Sequence, residues 1–138
     1  MSTWFSQSKV IAAVTLFVED LEAARSFYRN AFGLKEVYED QNSVVFQFGE
    51  TMINLLVTTE AHSLIAPALV ATPAAGVRTQ FTVEVDDVDA VVEQLAGRGV
   101  SLSNGPMDRP WGLRTASFVD PGGHVWEVAG PPIEVRSD

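Results

Sequence analysis

The sequence predicts an α+β fold of two β-α-β-β-β modules whose curved mixed sheets enclose a cup-shaped cavity. The main observation is an internal repeat, because VEDLEA at residues 18–23 returns as VDDVDA at residues 85–90, an offset of 67 residues. Each copy follows an alternating apolar stretch typical of a strand and precedes apolar residues at helical spacing. A glycine-containing tight turn then precedes the last strand of each copy.

In the first module, residues 10–18 alternate and predict the first strand. Asp20 is a natural N-cap for a helix predicted over residues 21–32, which Gly33 ends in a left-handed conformation. Three short strands are then predicted at residues 36–39, 43–48 and 52–58, the last two joined by a hairpin turn at residues 48–51.

The second module repeats this order. Residues 80–85 predict a strand, and Asp87 caps a helix predicted over residues 88–97. The remaining strands are predicted at residues 100–102, 115–119 and 125–128, with a tight turn at residues 120–123 before the last of them.

These elements predict one domain, residues 1–138, built from two modules. Module 1 covers residues 10–58 and module 2 covers residues 80–129. Residues 59–79 are rich in Ala and contain two of the prolines, so we expect a linker with one helical turn near residues 63–70.

The composition excludes several classes of protein. Hydrophobic residues make up 46% and charged residues 20%, which is typical of a globular chain. The absence of Cys excludes disulfides, thiolate catalysis and Cys-based zinc sites. A net charge of −9 argues against nucleic acid as a partner. No apolar run is long enough to cross a bilayer and the start lacks a secretory signal, so we expect a cytoplasmic protein without a membrane partner.

Short motifs occur in a fixed order along the chain. The first half contains VTLFVEDL (14–21), SFY (26–28) and FGL (32–34). The second half contains VEVDDVDA (83–90), PWG (110–112) and DPGGHVWE (120–127). Together these motifs resemble the vicinal-oxygen-chelate superfamily, which includes glyoxalase I, bleomycin-resistance proteins and extradiol dioxygenases. The resemblance spans residues 10–129 and implies a single glyoxalase-like domain.

The resemblance also implies where a metal would bind, namely at one residue in the first strand and one in a later strand of each module. These positions correspond to Ala13, Asn54, Gln80 and Glu127. Only Glu127 is a strong ligand, because Ala13 has no donor and the two amides bind metals weakly, whereas catalytic sites use about three firm protein ligands. We therefore expect no metal and no cofactor, while a weak divalent metal at Gln80 and Glu127 stays open.

We expect the cup to contain a ligand pocket. Its predicted lining consists of aromatic and polar residues: Phe46, Phe48, Asn54, Gln80, Trp111, Arg114 and Glu127. Phe46 and Phe48 alternate with Val45 and Gln47, so one pair faces the cavity, and we expect it to be the two phenylalanines. Trp111 should lie at the rim, either as a stacking surface or as a loop anchor.

Glu127 is expected to point into the cup, because Trp126 and Val128 on either side should pack under a helix. A carboxylate in an apolar cavity needs a partner, which could be Gln80 or Arg114, or a cationic ligand. Aromatic walls with few polar groups suit a small, partly aromatic organic molecule, and the negative net charge favours a cation.

Three functions stay open at this point. The first is a metal-free binding protein that holds a small molecule, like the bleomycin-resistance branch. The second is a lyase, isomerase or dioxygenase that uses a weak metal or uses Glu127 as its catalytic base. The third is a structural or regulatory domain. Neither histidine predicts a site, since His124 should cap a turn or face solvent and His62 should lie in the linker. Exposed sheet edges lead us to expect a homodimer with twofold symmetry.

Overall fold

A computed structural model describes residues 10–133, and the chain divides after Ala71 into two compact units. Each unit contains one β-α-β-β-β module with a four-stranded mixed sheet, which confirms the predicted α+β fold. The single domain and the cup between the sheets stay predictions. In residues 10–133 no helix has both the length and the apolar character needed to cross a bilayer.

The first module contains β1 (Ala13–Val18), α1 (Leu21–Asn30), β2 (Lys35–Glu39), β3 (Ser43–Phe48) and β4 (Thr51–Val57). Its strand order is β1-β4-β3-β2, with β1 parallel to β4 and the other neighbours antiparallel. The Asp20 carboxylate accepts a hydrogen bond from Ala23 N at 3.0 Å and caps α1 as predicted. Beyond α1, Gly33 has φ 68°, and Leu34 N donates to Tyr28 O at 3.2 Å.

The core of the first module lies between α1 and one face of its sheet. Phe46 is fully buried there, with its ring centroid 6.1 Å from that of Tyr28 in α1. Phe48 lies edge-to-face with Phe32 at 6.1 Å. The prediction that Phe46 and Phe48 line a ligand cavity is therefore wrong, because both face the helix side. The opposite face of β3 presents Val45 and Gln47, which alternate with them.

The segment between the modules is irregular, with short helical turns. A 3₁₀ turn at Thr58–Glu60 leads into α2 (His62–Ile65), and a second 3₁₀ turn follows at Pro73–Ala75. The helical turn that the sequence predicted near residues 63–70 is therefore present, slightly earlier and shorter. His62 is exposed in α2, as expected for a linker residue.

The second module contains β5 (Gln80–Glu84), α3 (Val88–Gly97), β6 (Leu102–Asp108), β7 (Arg114–Val119) and β8 (Val125–Gly130). Its strand order is β5-β8-β7-β6, again with the first strand parallel to the last. The Asp87 carboxylate accepts from Ala90 N at 3.1 Å and caps α3. Phe118 and Trp126 are buried on the side of the sheet that α3 covers, and Phe81 packs on Trp126.

The largest difference from the predicted elements is in β6. The sequence predicted a strand at residues 100–102, whereas β6 runs from Leu102 to Asp108 through Gly105 and Pro106. Its pairing with β7 shifts register twice. An outer strand with bulges can contain a proline because it needs no continuous row of N–H donors.

Candidate functional site

Polar residues gather on the face of the second sheet that α3 does not cover. We call this the polar face and define it by Thr82, Glu84, Thr115, Ser117 and Glu127. Glu127 lies directly between Ser117 of β7 and Thr82 of β5 in the strand register. Thr82 Oγ1 donates to Glu127 Oε1 at 2.9 Å. Among residues 10–133 this hydroxyl is the one hydrogen-bond partner of the Glu127 carboxylate.

Neither predicted partner forms a hydrogen bond with Glu127 among residues 10–133. Gln80 is exposed at the start of β5 opposite Val125, on the same face as Glu127 and one row away. Arg114 donates to Asp89 of α3, from Nη2 at 3.0 Å and from Nε at 3.2 Å. These hydrogen bonds to Asp89 raise the pKa of Arg114. The prediction that Arg114 lines the ligand pocket is therefore wrong, since its side chain binds the helix.

A depression of about 500 Å³ lies where β5 and β8 end. Its lining is mainly apolar, with two carboxylates: Thr82, Glu84, Val85, Asp86, Gly112, Leu113, Ala129, Gly130, Pro131 and Pro132. None of these residues is Lys, Arg or His. A depression of this size with few polar groups is typical of small-molecule sites. The negative charge of Glu84 and Asp86 in this lining favours the binding of a cation.

The β6–β7 hairpin contributes one wall of the depression through Gly112 and Leu113. Trp111 directly precedes them and is 66% exposed. The Arg109 guanidinium carbon lies 5.7 Å from the centroid of the Trp111 ring, which is cation–π geometry. The hairpin is closed by Arg109 N, which donates to Leu113 O at 2.7 Å.

Arg109 is the residue of this region that the sequence did not single out. Its Nε donates to Thr115 Oγ1 at 2.8 Å and its Nη2 donates to Asn104 Oδ1 at 3.1 Å. Both acceptors are neutral, and within residues 10–133 no carboxylate pairs with Arg109. The overlooked signal is strand alternation. Arg109 lies opposite Leu113 in the hairpin, and Leu113 shares a strand face with Thr115. Arg114 lies between Leu113 and Thr115 in the sequence, so its side chain is on the other face.

The four positions implied for a metal are Ala13, Asn54, Gln80 and Glu127. In the first module, Ala13 lies opposite Met52, while Asn54 lies opposite Thr15 and donates to its hydroxyl at 3.3 Å. In the part of the chain that the structure describes, no three His, Asp or Glu side chains gather closely enough to hold a metal ion. One carboxylate with two neutral amides fits Zn²⁺, Fe²⁺ or Ni²⁺ poorly.

His124 belongs to the turn between β7 and β8. Its Nδ1 lies 3.0 Å from both carboxylate oxygens of Asp120, which is buried. Asp120 Oδ1 also accepts from His124 N at 2.8 Å, and Gly123 N donates to Asp120 O at 3.0 Å. These contacts stabilise the tight turn that the sequence predicted, so His124 has the structural role expected of it.

Comparisons with known proteins agree with this architecture. The chain is 30% identical over 120 residues to the uncharacterized protein YraH of Bacillus subtilis (strain 168), which covers 83% of this chain and 93% of that protein. A glyoxalase/bleomycin resistance protein/dioxygenase from Nocardioides superposes with a TM-score of 0.80 at 24% identity, covering 98% of this chain and 95% of that one. Lactoylglutathione lyase from Agrobacterium tumefaciens superposes with a TM-score of 0.72 at 25% identity, covering 89% and 94% respectively.

The family assignment follows from the length of the sequence match together with these likenesses. Residues 10–128 match the model of one family, and this span includes the first module, the second module up to the last residues of β8, and the whole polar face. The relatives share the fold over nearly their full lengths. This chain belongs to the Glyoxalase/Bleomycin resistance protein/Dioxygenase superfamily.

Proposed function

We propose that this protein binds a small, partly aromatic organic cation at the second module and that it does so without a metal ion. The observation that supports this most directly is the lining of the depression at the ends of β5 and β8. It combines apolar side chains with the carboxylates of Glu84 and Asp86 and contains no basic residue. An apolar wall for the body of a ligand and an acidic group for its charge favour an organic cation over a sugar or a phosphate.

Glu127 adds to this argument. Glu127 is partly buried on the polar face, and its carboxylate accepts one hydrogen bond, from the neutral and exposed Thr82 hydroxyl. A carboxylate whose hydrogen-bond partner is a neutral hydroxyl is stabilised by a positive charge close to it. The candidate for balancing it within the chain, Arg114, is committed to Asp89. A ligand cation would supply the missing charge.

The metal-free part of the proposal rests on donor chemistry. The residues at the four implied positions are an alanine, two amides and one carboxylate, so the metal site of the superfamily is degenerate here. Elemental analysis of the purified protein should find no stoichiometric Zn, Ni, Mn or Fe. A metal that is present at one equivalent and lost on Glu127→Gln would overturn this part.

An enzymatic role is the second candidate, as a lyase, isomerase or dioxygenase of the same superfamily. Two observations favour it: the likeness to a lactoylglutathione lyase, and a Glu127 carboxylate with one oxygen free of partners among residues 10–133. That oxygen could accept a proton as a general base. An assay for lactoylglutathione formation, with and without added Zn²⁺ or Ni²⁺, separates this role from pure binding.

The proposal includes a homodimer with twofold symmetry. Each sheet ends in outer strands, β1 and β2 in the first and β5 and β6 in the second. Outer strands carry N–H and C=O groups that can pair with another chain. Light scattering at micromolar concentration should give twice the mass of the 15.0 kDa chain, and the mass of one chain would contradict the dimer.

Thermal stability tests the ligand class directly. Phenethylamine should raise the melting temperature more than the neutral 2-phenylethanol at equal concentration. A ligand present at about 100 times its Kd stabilises by about 2.7 kcal/mol, which corresponds to several degrees for a chain of this size. Glu127→Gln should weaken the response to the amine. Glu50→Gln removes an equal charge from an exposed turn of the first module and serves as the control. Equal responses to amine and alcohol would refute the proposal.

A further inference from the structure

Opposite charges lie on two sides of the polar face. Arg109 is held over β7 and β6 by Thr115 and Asn104. Glu127 and Glu84 lie on β8 and β5, beyond Thr115 and Ser117. No ion pair joins Arg109 to either carboxylate within residues 10–133. A positive and a negative group therefore face the same surface without neutralising each other.

The strand register sets their separation. One row across the sheet contains Thr115, Ala129 and Glu84, and the next contains Ser117, Glu127 and Thr82. Neighbouring strands are about 4.8 Å apart, so a group above Thr115 is one to two strand spacings, about 5–10 Å, from the carboxylates. The side chains between them are small. An ammonium and a carboxylate on one small molecule can span this distance.

Three features of the Arg109 guanidinium favour the binding of an anion. Its Nε and Nη2 are fixed by neutral acceptors, so its charge is not cancelled. Its Nη1 has no hydrogen-bond partner among residues 10–133. The Trp111 ring, whose centroid is 5.7 Å from the guanidinium carbon, restricts the orientation of the guanidinium plane. A guanidinium held in one orientation binds a carboxylate through charge-assisted hydrogen bonds with little loss of side-chain entropy.

We propose that the ligand is zwitterionic, with a carboxylate bound by Arg109 and a cationic group held by Glu127 and Glu84. This inference rests on the proposed binding of an organic cation and narrows it to amino-acid-like molecules with an aromatic or apolar body. The depression next to Leu113 and Ala129 would receive that body. Arg109 thereby becomes a specificity-determining residue.

Three matched probes test the inference: phenethylamine, which is cationic; phenylalanine, which is zwitterionic; and 3-phenylpropionate, which is anionic. Calorimetric titration up to about 10 mM measures each Kd. Phenylalanine should bind at least about tenfold more tightly than either single-charge probe, because it gains a second charge-assisted hydrogen bond. Arg109→Gln should reduce its affinity to no more than that of phenethylamine, and phenethylamine should bind this variant at least as tightly as the wild type because a nearby positive charge is removed.

Two variants serve as controls. Arg78→Gln removes the same charge from an exposed position just before β5 and should leave all three affinities unchanged. Arg109→Lys keeps the charge but loses the fixed fork, so it should bind phenylalanine with intermediate affinity. Binding of phenethylamine by Arg109→Gln that is as tight as in the wild type or tighter also shows that the site still folds.

The outcomes separate the two proposals. If phenethylamine binds and phenylalanine binds no more tightly, or if Arg109→Gln behaves like Arg78→Gln, the zwitterion inference is wrong and the cation proposal stands. If 3-phenylpropionate alone binds, both are wrong and Arg109 by itself defines an anion site. If none of the three probes binds, both are wrong.

Discussion

Arg114 and Asp89 join the second sheet to its helix. Two guanidinium nitrogens of Arg114 lie 3.0 and 3.2 Å from one carboxylate oxygen of Asp89 in α3. The Arg114 side chain is 13% exposed and that of Asp89 is 40% exposed, so the pair is partly desolvated. Asp108 adds a second carboxylate at 3.2 Å. This arrangement makes Arg114 part of the packing of α3 on β7.

Arg114→Met should therefore change stability and leave ligand binding alone. An ion pair at this exposure contributes about 1 kcal/mol, so the free energy of unfolding in urea should fall by about that amount. A double-mutant cycle with Asp89→Asn isolates the pair. The affinity for phenethylamine should match that of the wild type. A loss of affinity without a loss of stability would place Arg114 in the binding site after all.

Glu36 should make the first module sensitive to acid. Its carboxylate accepts hydrogen bonds from Arg25 at 2.6 Å and from Arg29 at 2.7 Å. The bond from Arg25 is the main cause that lowers the pKa of Glu36 from 4.5 to about 2. A carboxylate with a depressed folded pKa contributes stability above its unfolded pKa and loses it as the pH falls through the folded one. The stability difference between wild type and Glu36→Gln should be full near neutral pH and vanish between pH 4.5 and about 2.

Urea unfolding at a series of pH values measures this difference. Glu50→Gln, at an exposed turn, should show no comparable dependence on pH. A constant difference between wild type and Glu36→Gln across the acidic range would contradict the prediction.

Two glycines should respond oppositely to alanine. A Cβ at Gly130 would lie 2.5 Å from Val85 O, so Gly130→Ala would push the backbone at Gly130 and Val85 apart. The free energy of unfolding should fall by about 1–3 kcal/mol. A Cβ at Gly97 meets nothing within 4 Å, and Gly97 is in α3. Gly97→Ala should therefore stabilise by up to about 1 kcal/mol. The urea midpoints of the two variants should move in opposite directions, and a stabilised Gly130→Ala would show that the close approach is absent.

Phe46 should matter for stability rather than for binding. It is fully buried against α1, so Phe46→Ala should cost about 3–5 kcal/mol through lost burial and the cavity left behind. Gln47 on the opposite face should tolerate alanine within about 0.5 kcal/mol. Chemical denaturation of both variants checks the assignment of faces in β3. A mild Phe46→Ala and a severe Gln47→Ala would reverse it.

Much of the fold could be predicted because its signals are local. Asp20 and Asp87 each begin a helix through their own side chains, and the turn around Gly49 has the residues that its geometry requires. The repeat then predicted the second module from the first. The predicted strand at residues 100–102 shares only its last residue with β6. Gly105 and Pro106 are untypical of a strand interior, and the bulges that accommodate them depend on pairing with β7.

The site was predicted less well because strand faces depend on a single step of alternation. Glu127 was assigned to the correct face since Trp126 and Val128 are plainly apolar and buried. In β3 the residues Val44, Val45 and Phe46 are apolar on both faces, so the pattern could not distinguish them. The prediction for Arg114 was wrong for the same reason, because Arg114 is one residue away from Thr115, which lies on the face that the Arg109 side chain contacts. A shift of one residue exchanges the two faces of a strand.

The parallel pairing of the first strand with the last in each module has a consequence for synthesis of the chain. In the first sheet β4 lies between β1 and β3, although it is the last of the four strands to be made. Until the ribosome has made β4, β1 therefore has no strand with which to form hydrogen bonds. Each sheet is therefore completed in one step at the end of its module. All four strands of the first sheet have been made before β5 is translated, and a chain that stops before β8 leaves β5 without its neighbour in the second sheet.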